Sequence, residues 1–360
     1  MKNFSNKALA AICALSISFS ASAGNKDRIG QSGAPELAIN PWARSTGTFG
    51  LNTANVNGIE AMKMNIAGLA QTTGTELGLS HGFYLAGSGV GINNLAVAQS
   101  LGNECVIGVN VMSMTFGDIT TTDYFNPEGY GTYRPNFLNV QLGFSKQFST
   151  HVNAGVAATY VSEQISNISA LGLAFEAGIQ YVTGKRDNFH FGITLRNMGT
   201  NMRFTGTGFS INADKQQQSA SFAVTARQPS EKFEMPTYLN IGIAYDLYLD
   251  ENHLCKDSTP IHKLTLLGNF TSNSFNNDFI GIGAEYGFRN TFFIRTGYRY
   301  ENGIFNDETS TTMYSGIAAG ATVQTRLGGD KGPMLAFDYS FRPTRRPANG
   351  VHMVSMRFTR

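Results

Sequence analysis

Charge, cysteine and long apolar runs are all scarce in this chain of 360 residues, which has 14% Asp, Glu, Lys and Arg, three cysteines and one tryptophan. Cys13, Cys105 and Cys255 are too few for a disulfide framework and too far apart for a zinc site. A single bridge between Cys105 and Cys255 stays open, because spacing alone does not say whether their Cα atoms come within the ~4.4–6.8 Å that a disulfide spans. With 27 basic against 25 acidic residues, the chain lacks the clustered basic excess of a nucleic-acid binder. Catalytic patterns are missing too: there is no HExxH, no GxSxG and no complete phosphate loop. Gly87-Ser88-Gly89-Val90-Gly91 has neither the glycine spacing nor the following helix of a nucleotide loop and reads as a hairpin turn, while the six histidines are scattered. No reaction class, metal or cofactor follows, and the chain is read as a non-enzyme.

One apolar run exists, and it lies at the start. Lys2 and Lys7 precede Ala8–Phe19, and Ser20-Ala21-Ser22-Ala23 leads into Gly24, the three-part plan of a secretory signal peptide over residues 1–23. Ala8–Phe19 falls well short of the ~20 residues a spanning helix needs, so cleavage after Ala23 is expected. Lys2, Lys7 and Cys13 then leave together, and the mature chain balances 25 basic against 25 acidic residues. With no long apolar segment remaining, a membrane protein of this sequence has one way to span a bilayer, the closed β-barrel, since an open sheet edge cannot be satisfied in lipid.

What is abundant fits that solution: 40 glycines, 26 phenylalanines and 14 tyrosines. Phe292, Ile294, Thr296, Tyr298 and Tyr300 interleave with Phe293, Arg295, Gly297 and Arg299. Leu335, Phe337, Tyr339 and Phe341 alternate with Ala336, Asp338, Ser340 and Arg342, and Phe189, Phe191, Ile193 and Leu195 with His190, Gly192, Thr194 and Arg196. Period two with a greasy face and a face mixing polar residues with glycine is the pattern of lipid-facing and lumen-facing positions. Gly143 beside Gln141 and Ser145, Gly242, Gly281 and Gly283 belong to the second face.

Segments of this kind start near residues 75, 92, 105, 136, 151, 171, 188, 237, 262, 278, 291, 313, 332 and 350, about fourteen in all. An even count is what bacterial barrels require, and parity leaves the rival segment Ser219–Ala226 in a loop. The fold class is all-β: a transmembrane antiparallel β-barrel of about 14 strands over residues 75–360, ending in Val354, Met356 and Phe358. Long connections at 115–135, 197–236, 301–312 and 342–349 fall on one side and short ones at 148–150, 183–187 and 289–290 on the other, with a longer exception near Asp250–Pro260. If Phe288 and Phe292 are opposite neighbours facing lipid, Glu285 lies across from Arg295 in the lumen, which predicts a structural ion pair.

Residues 29–74, within the segment 24–74 that precedes the first strand, do not alternate. Ala54–Ala70, with Met62, Met64, Ile66 and Leu69, reads as a short helix with turns, and together with Pro41-Trp42 it is too apolar for a solvated tail, so a plug-like segment inside the lumen is expected.

Gly33-Ala34-Pro35-Glu36-Leu37-Ala38-Ile39-Asn40-Pro41, Ala43-Arg44 and Asn65-Ile66-Ala67-Gly68-Leu69-Ala70 resemble the N-terminal signature of the PorV/PorQ proteins, with Ile66 where that family usually has proline. The resemblance continues through Phe116-Gly117-Asp118-Ile119, Pro127-Glu128-Gly129-Tyr130-Gly131, Tyr181-Val182-Thr183-Gly184, Arg196-Asn197-Met198-Gly199 and the His352–Phe358 strand, and its opening stretch is closer to PorV than to PorQ. It implies a barrel similar to the long-chain fatty-acid transporters that serves type IX secretion. Such a protein binds C-terminal signal domains of secreted cargo at the translocon barrel and delivers them to a surface attachment complex with a sortase-like peptidase. Asn65, Ala67, Gly68 and Leu69 would then form the plug motif. For cargo, the candidate surface is the loop Thr115–Pro135 with Tyr124, Phe125, Tyr130 and Tyr133, exposed aromatics being favoured interface anchors, and the second is Thr205–Pro236. Local packing of those aromatics onto the barrel rim is the plainer alternative. A second function stands beside the shuttle: an outer-membrane transporter of hydrophobic small molecules, which needs an apolar path past the plug or through the wall. A third is a purely structural partner in a secretion or motility complex. Around the barrel itself the partner is lipid or detergent.

Overall fold

The computed structural model describes residues 24, 26–217, 220–250, 260–306, 308–329, 332–345 and 348–360. The expected signal peptide and Cys255 lie outside the described residues; Cys105 opens a strand.

Among the described residues nineteen strands follow one another: β1 (Thr75–Tyr84), β2 (Val90–Gly102), β3 (Cys105–Thr115), β4 (Ile119–Thr121), β5 (Gly131–Tyr133), β6 (Asn136–Gln147), β7 (Val152–Ile165), β8 (Ile168–Thr183), β9 (Phe189–Gly199), β10 (Thr205–Gly206), β11 (Ser210–Gln217), β12 (Ala220–Arg227), β13 (Tyr238–Tyr248), β14 (His262–Asn273), β15 (Phe279–Phe288), β16 (Phe292–Glu301), β17 (Ile317–Arg326), β18 (Met334–Arg342) and β19 (Val351–Thr359). Fourteen of them close a ring of antiparallel pairs, β1–β2–β3–β6–β7–β8–β9–β13–β14–β15–β16–β17–β18–β19 and back to β1. The seam runs in register from Glu76 opposite Thr359 to Phe83 opposite His352. Closure leaves no unpaired edge, the condition for a sheet in lipid. Of the five remaining strands, β4 pairs with β5 and β11 with β12 as separate two-stranded sheets, and β10 adds two residues to β8 of the ring. Of the rival segment Ser219–Ala226, residues 220–226 belong to a hairpin outside the wall, and Ser219 lies outside the described residues.

Alternation decides which way each side chain points. Ile282 is 69% exposed on the outer wall, and Leu142, Val156, Ile179 and Ile294 are exposed with it, whereas Gln141, Ser145, Arg295, Asp338 and Arg357 are buried on the inner face. An apolar belt around a polar interior places this barrel in the outer membrane. Three connections on the long-loop side are short, Leu85–Gly89 between β1 and β2, Ser166-Asn167 between β7 and β8 and Ser274–Asp278 between β14 and β15, so loop length separates the two ends only in part.

The N-terminal segment packs against the inner face of the ring. Among its described residues the helical content is a single α-helical turn, Ala43–Thr46, and four 3-10 stretches, Lys26–Arg28, Pro35–Ala38, Gly58–Lys63 and Ile66–Gln71, so Ala54–Ala70 holds two 3-10 stretches rather than a continuous helix. The break falls at Asn65, whose extended backbone starts the second stretch and whose side chain accepts from Ala67 N at 3.2 Å. Trp42, Ile59, Met62, Ile66 and Leu69 form one buried cluster with Ala96, Ala98 and Val106 of the wall. Wall glycines make room for them: a Cβ on Gly78 would come within 2.1 Å of Ile59, one on Gly108 within 2.7 Å of Met62, and one on Gly143 within 2.7 Å of Ile66.

Candidate functional site

Three regions of the barrel carry features beyond wall and packing: an ionic cluster at mid-lumen, a cup at the long-loop end, and a groove on the outer wall.

In the lumen, Glu285 and Arg295 are direct cross-strand neighbours of β15 and β16, with Nε to Oε2 at 2.8 Å. Arg44, from the α-helical turn, reaches the other oxygen of Glu285 at 3.0 Å. Arg357 of β19 lies 3.2 Å from both Asp338 and Glu60, and Ser45 donates to Glu60 at 2.9 Å. Arg295 also donates to Thr322 at 2.6 Å, and Thr322 in turn bonds Asp338. Three arginines and three acids therefore compensate one another, and two of the six, Arg44 and Glu60, belong to the N-terminal segment. The space among Arg44, Asn52, Glu60 and Glu285 is only about 10 Å³, no more than one water can use. At this depth the lumen is filled.

Asn65, Ala67, Gly68 and Leu69 come together at the start of the second long 3-10 stretch. Asn65 donates to the carbonyls of Thr53 and Ile179, each at 3.1 Å, and the Ala67 carbonyl accepts from Ser145 at 3.0 Å. Gly68 has no room for a side chain, since its Cβ would sit 2.0 Å from the Val56 carbonyl oxygen. These four residues tie the segment to itself and to β6 and β8.

Toward the long-loop end the lumen opens into a cup of about 290 Å³. Its charged residues are Arg196 of β9, Arg299 and Glu301 of β16, and Arg342, the last residue of β18. Arg299 stacks on Phe49 and Phe279, 4.3 and 4.4 Å from the ring centroids, and Arg342 on Tyr314 at 4.7 Å. Phe49 and Tyr314 meet edge to face at 5.4 Å. Phe49 holds φ at 60°, a left-handed conformation that bulky residues rarely adopt, so its ring is placed here against local preference. Alternation alone puts all three arginines on the inner face, but their convergence is invisible in the sequence because they come from three separated strands.

On the outside, a groove of about 540 Å³ runs over β13, β14 and β15. Gly268 forms its floor, and Ile243, Leu266, Phe270, Ile280 and Ile282 its walls. Phe279 borders both this groove and the cup.

The four loop aromatics are not one patch. Tyr124 and Phe125 are 93% and 85% exposed and touch edge to face at 5.4 Å, Tyr130 is exposed farther along the loop, and Tyr133 is half-buried on β5. Asp118 and Arg134 pair at the base of the loop, 2.8 Å between Nη2 and Oδ2. In the second candidate loop, the β11–β12 hairpin projects from the barrel.

The backbone is similar to the CymD monoaromatic hydrocarbon channel, with a TM-score of 0.54 and 13% identity over 88% of this chain and 96% of that one. It is equally similar to the toluene transporter TodX of Pseudomonas putida, with a TM-score of 0.54 and 12% identity over 89% of this chain and 97% of that one. The likeness is one of fold. No protein-family model matches the chain, and no curated protein matches its sequence. The solved barrels it resembles are channels and transporters, not enzymes.

Proposed function

We propose that the protein is an outer-membrane transporter of hydrophobic small molecules. The observation that carries this reading is the fold shared, over about nine-tenths of both chains, with barrels described as a monoaromatic hydrocarbon channel and a toluene transporter. The apolar wall groove supports it, because it gives a hydrophobic solute a resting place at the membrane face. With mid-lumen filled, a solute entering from outside would have to pass from the cup by Phe279, which borders both spaces, to reach that groove, with the N-terminal segment as the plug that directs it sideways. Cells carrying the protein in a background without hydrocarbon channels should take up labelled toluene faster than cells carrying the empty vector, and Gly268→Phe, which fills the groove, should abolish the gain. Equal uptake with and without the protein sinks the reading.

A type IX secretion shuttle is the second reading, favoured by a different observation: a filled lumen combined with Tyr124 and Phe125 held in solvent above the rim. A carrier of protein cargo needs no conduit. The N-terminal motifs similar to the PorV/PorQ proteins point the same way, with cargo signal domains, a translocon barrel and a sortase-like attachment complex as partners. Affinity capture from the native outer membrane, followed by mass spectrometry, separates the readings. Secreted proteins sharing a C-terminal domain would favour the shuttle, and their absence alongside toluene uptake would remove it.

A further inference from the structure

Arg342 keeps 8% of its surface exposed, and its Nε and one terminal nitrogen are buried without a hydrogen-bond acceptor. Among the described residues no carboxylate pairs with it. Across the cup, Arg196 is 7% exposed, and its Nε and Nη2 also lack hydrogen-bond acceptors, the nearest acid, Glu176, standing off at 3.8 Å. Arg299 is 3.9 Å from Glu301, whose carboxylate is already engaged by Thr311. The lumen cluster a few residues deeper balances every charge; the cup does not. A buried guanidinium without an acid is costly, and it survives where something else supplies the acceptor.

The geometry says what that something is. The guanidinium carbon of Arg342 lies 4.7 Å from the Tyr314 ring centroid, and its Nε and Nη2, without hydrogen-bond partners, are the pair of donors that matches the two oxygens of a carboxylate. The cup holds about 290 Å³, suited to a single-ring or short-chain molecule, and its remaining lining is mixed, with Asn240, Thr271 and Asn273 beside Tyr84 and Phe279. We propose that the cup binds a small organic carboxylate, with Arg342 pairing to its charge and Arg196 and Arg299 adding positive potential. A neutral hydrocarbon gains nothing from three converging arginines, so this goes beyond the transport reading and stands without it.

The test is calorimetric titration of the purified full-length protein in detergent at low salt, with benzoate as the probe and benzamide as its neutral counterpart. Benzoate should bind saturably, with benzamide at least tenfold weaker. Arg342→Gln should weaken benzoate at least tenfold while leaving the melting temperature of the unliganded barrel unchanged or higher, because an unpaired buried charge has gone. Arg342→Lys should retain part of the affinity. Arg196→Gln gives a second readout should Arg342→Gln fail to assemble, with a loss of severalfold expected. Benzamide binding as tightly as benzoate, full benzoate affinity in both glutamine variants, or no saturable benzoate binding would each overturn the proposal. Because the readout is on purified protein, a failure of toluene uptake leaves it untouched.

Discussion

Replacing Glu285 with glutamine tests how the N-terminal segment is held. Glu285 bridges Arg44, on the segment, and Arg295, on the wall, at 3.0 and 2.8 Å, and the Arg295 side chain is fully buried. Removing one partner of a buried pair costs roughly 3–5 kcal/mol when the remaining charge is stranded. Here the loss is smaller, because Thr322 still accepts from Arg295 at 2.6 Å and Asp338 stands 3.9 Å away. Arg44 has a quarter of its side chain exposed and can take up a water. We expect about 3 kcal/mol, over a hundredfold in the unfolding equilibrium. Equilibrium urea unfolding in detergent would measure it, and a double-mutant cycle with Arg295→Gln would isolate the pair, with a coupling of roughly 1.5–3 kcal/mol. Trypsin cleavage after Arg44 or Lys63 should speed up in Glu285→Gln before the barrel itself unfolds. A coupling below about 0.5 kcal/mol would refute the geometry, since distant independent sites add to within that margin.

Other consequences follow from the same packing. Gly78→Val should cost roughly 1–3 kcal/mol by overpacking against Ile59 and Trp42, seen as a lower melting temperature and faster proteolysis of the N-terminal segment. Ile282→Arg puts a charge on the lipid face and should cost roughly 2–4 kcal/mol if the site lies near mid-membrane, whereas the same change in a solvated loop would be almost silent. Tyr124→Ala and Phe125→Ala should each leave stability within about 0.5 kcal/mol, because both rings stand in solvent, while the shuttle reading requires their joint loss to reduce cargo capture. The Arg134 guanidinium holds the Asp118 carboxyl below its usual range. Its contribution to loop order is therefore complete above the ordinary aspartate range and disappears as pH falls through the depressed value. Hydrogen exchange in the β4–β5 loop should rise on that acidification, and Arg134→Gln should remove the pH dependence.

Strands were legible because each must satisfy lipid on one side and the lumen on the other, which imposes a two-residue repeat over about ten residues. Fourteen starts read from alternation lie within four residues of those in the structure, the largest difference being at β17, which begins at Ile317 rather than near 313. Parity correctly left residues 220–226 of the rival segment outside the wall, though as a hairpin partner of β11 rather than as an unstructured loop. The conformation of the N-terminal segment was harder to read. Its path is set by glycines on strands far away in sequence, Gly78, Gly108 and Gly143, and nothing in the segment itself announces two 3-10 stretches in place of a helix. The cup escaped for a similar reason. Arg196, Arg299 and Arg342 each sit inward near the end of a strand that leads into a loop on the same side, a pattern present in the sequence, but only closure of the ring brings them around one space.

Labelled-toluene uptake by cells carrying the intact protein, compared with Gly268→Phe at equal outer-membrane abundance, tests the transport reading most directly. Faster uptake that the groove-filling variant eliminates is the predicted result. Uptake no greater than that of cells lacking the barrel would contradict it.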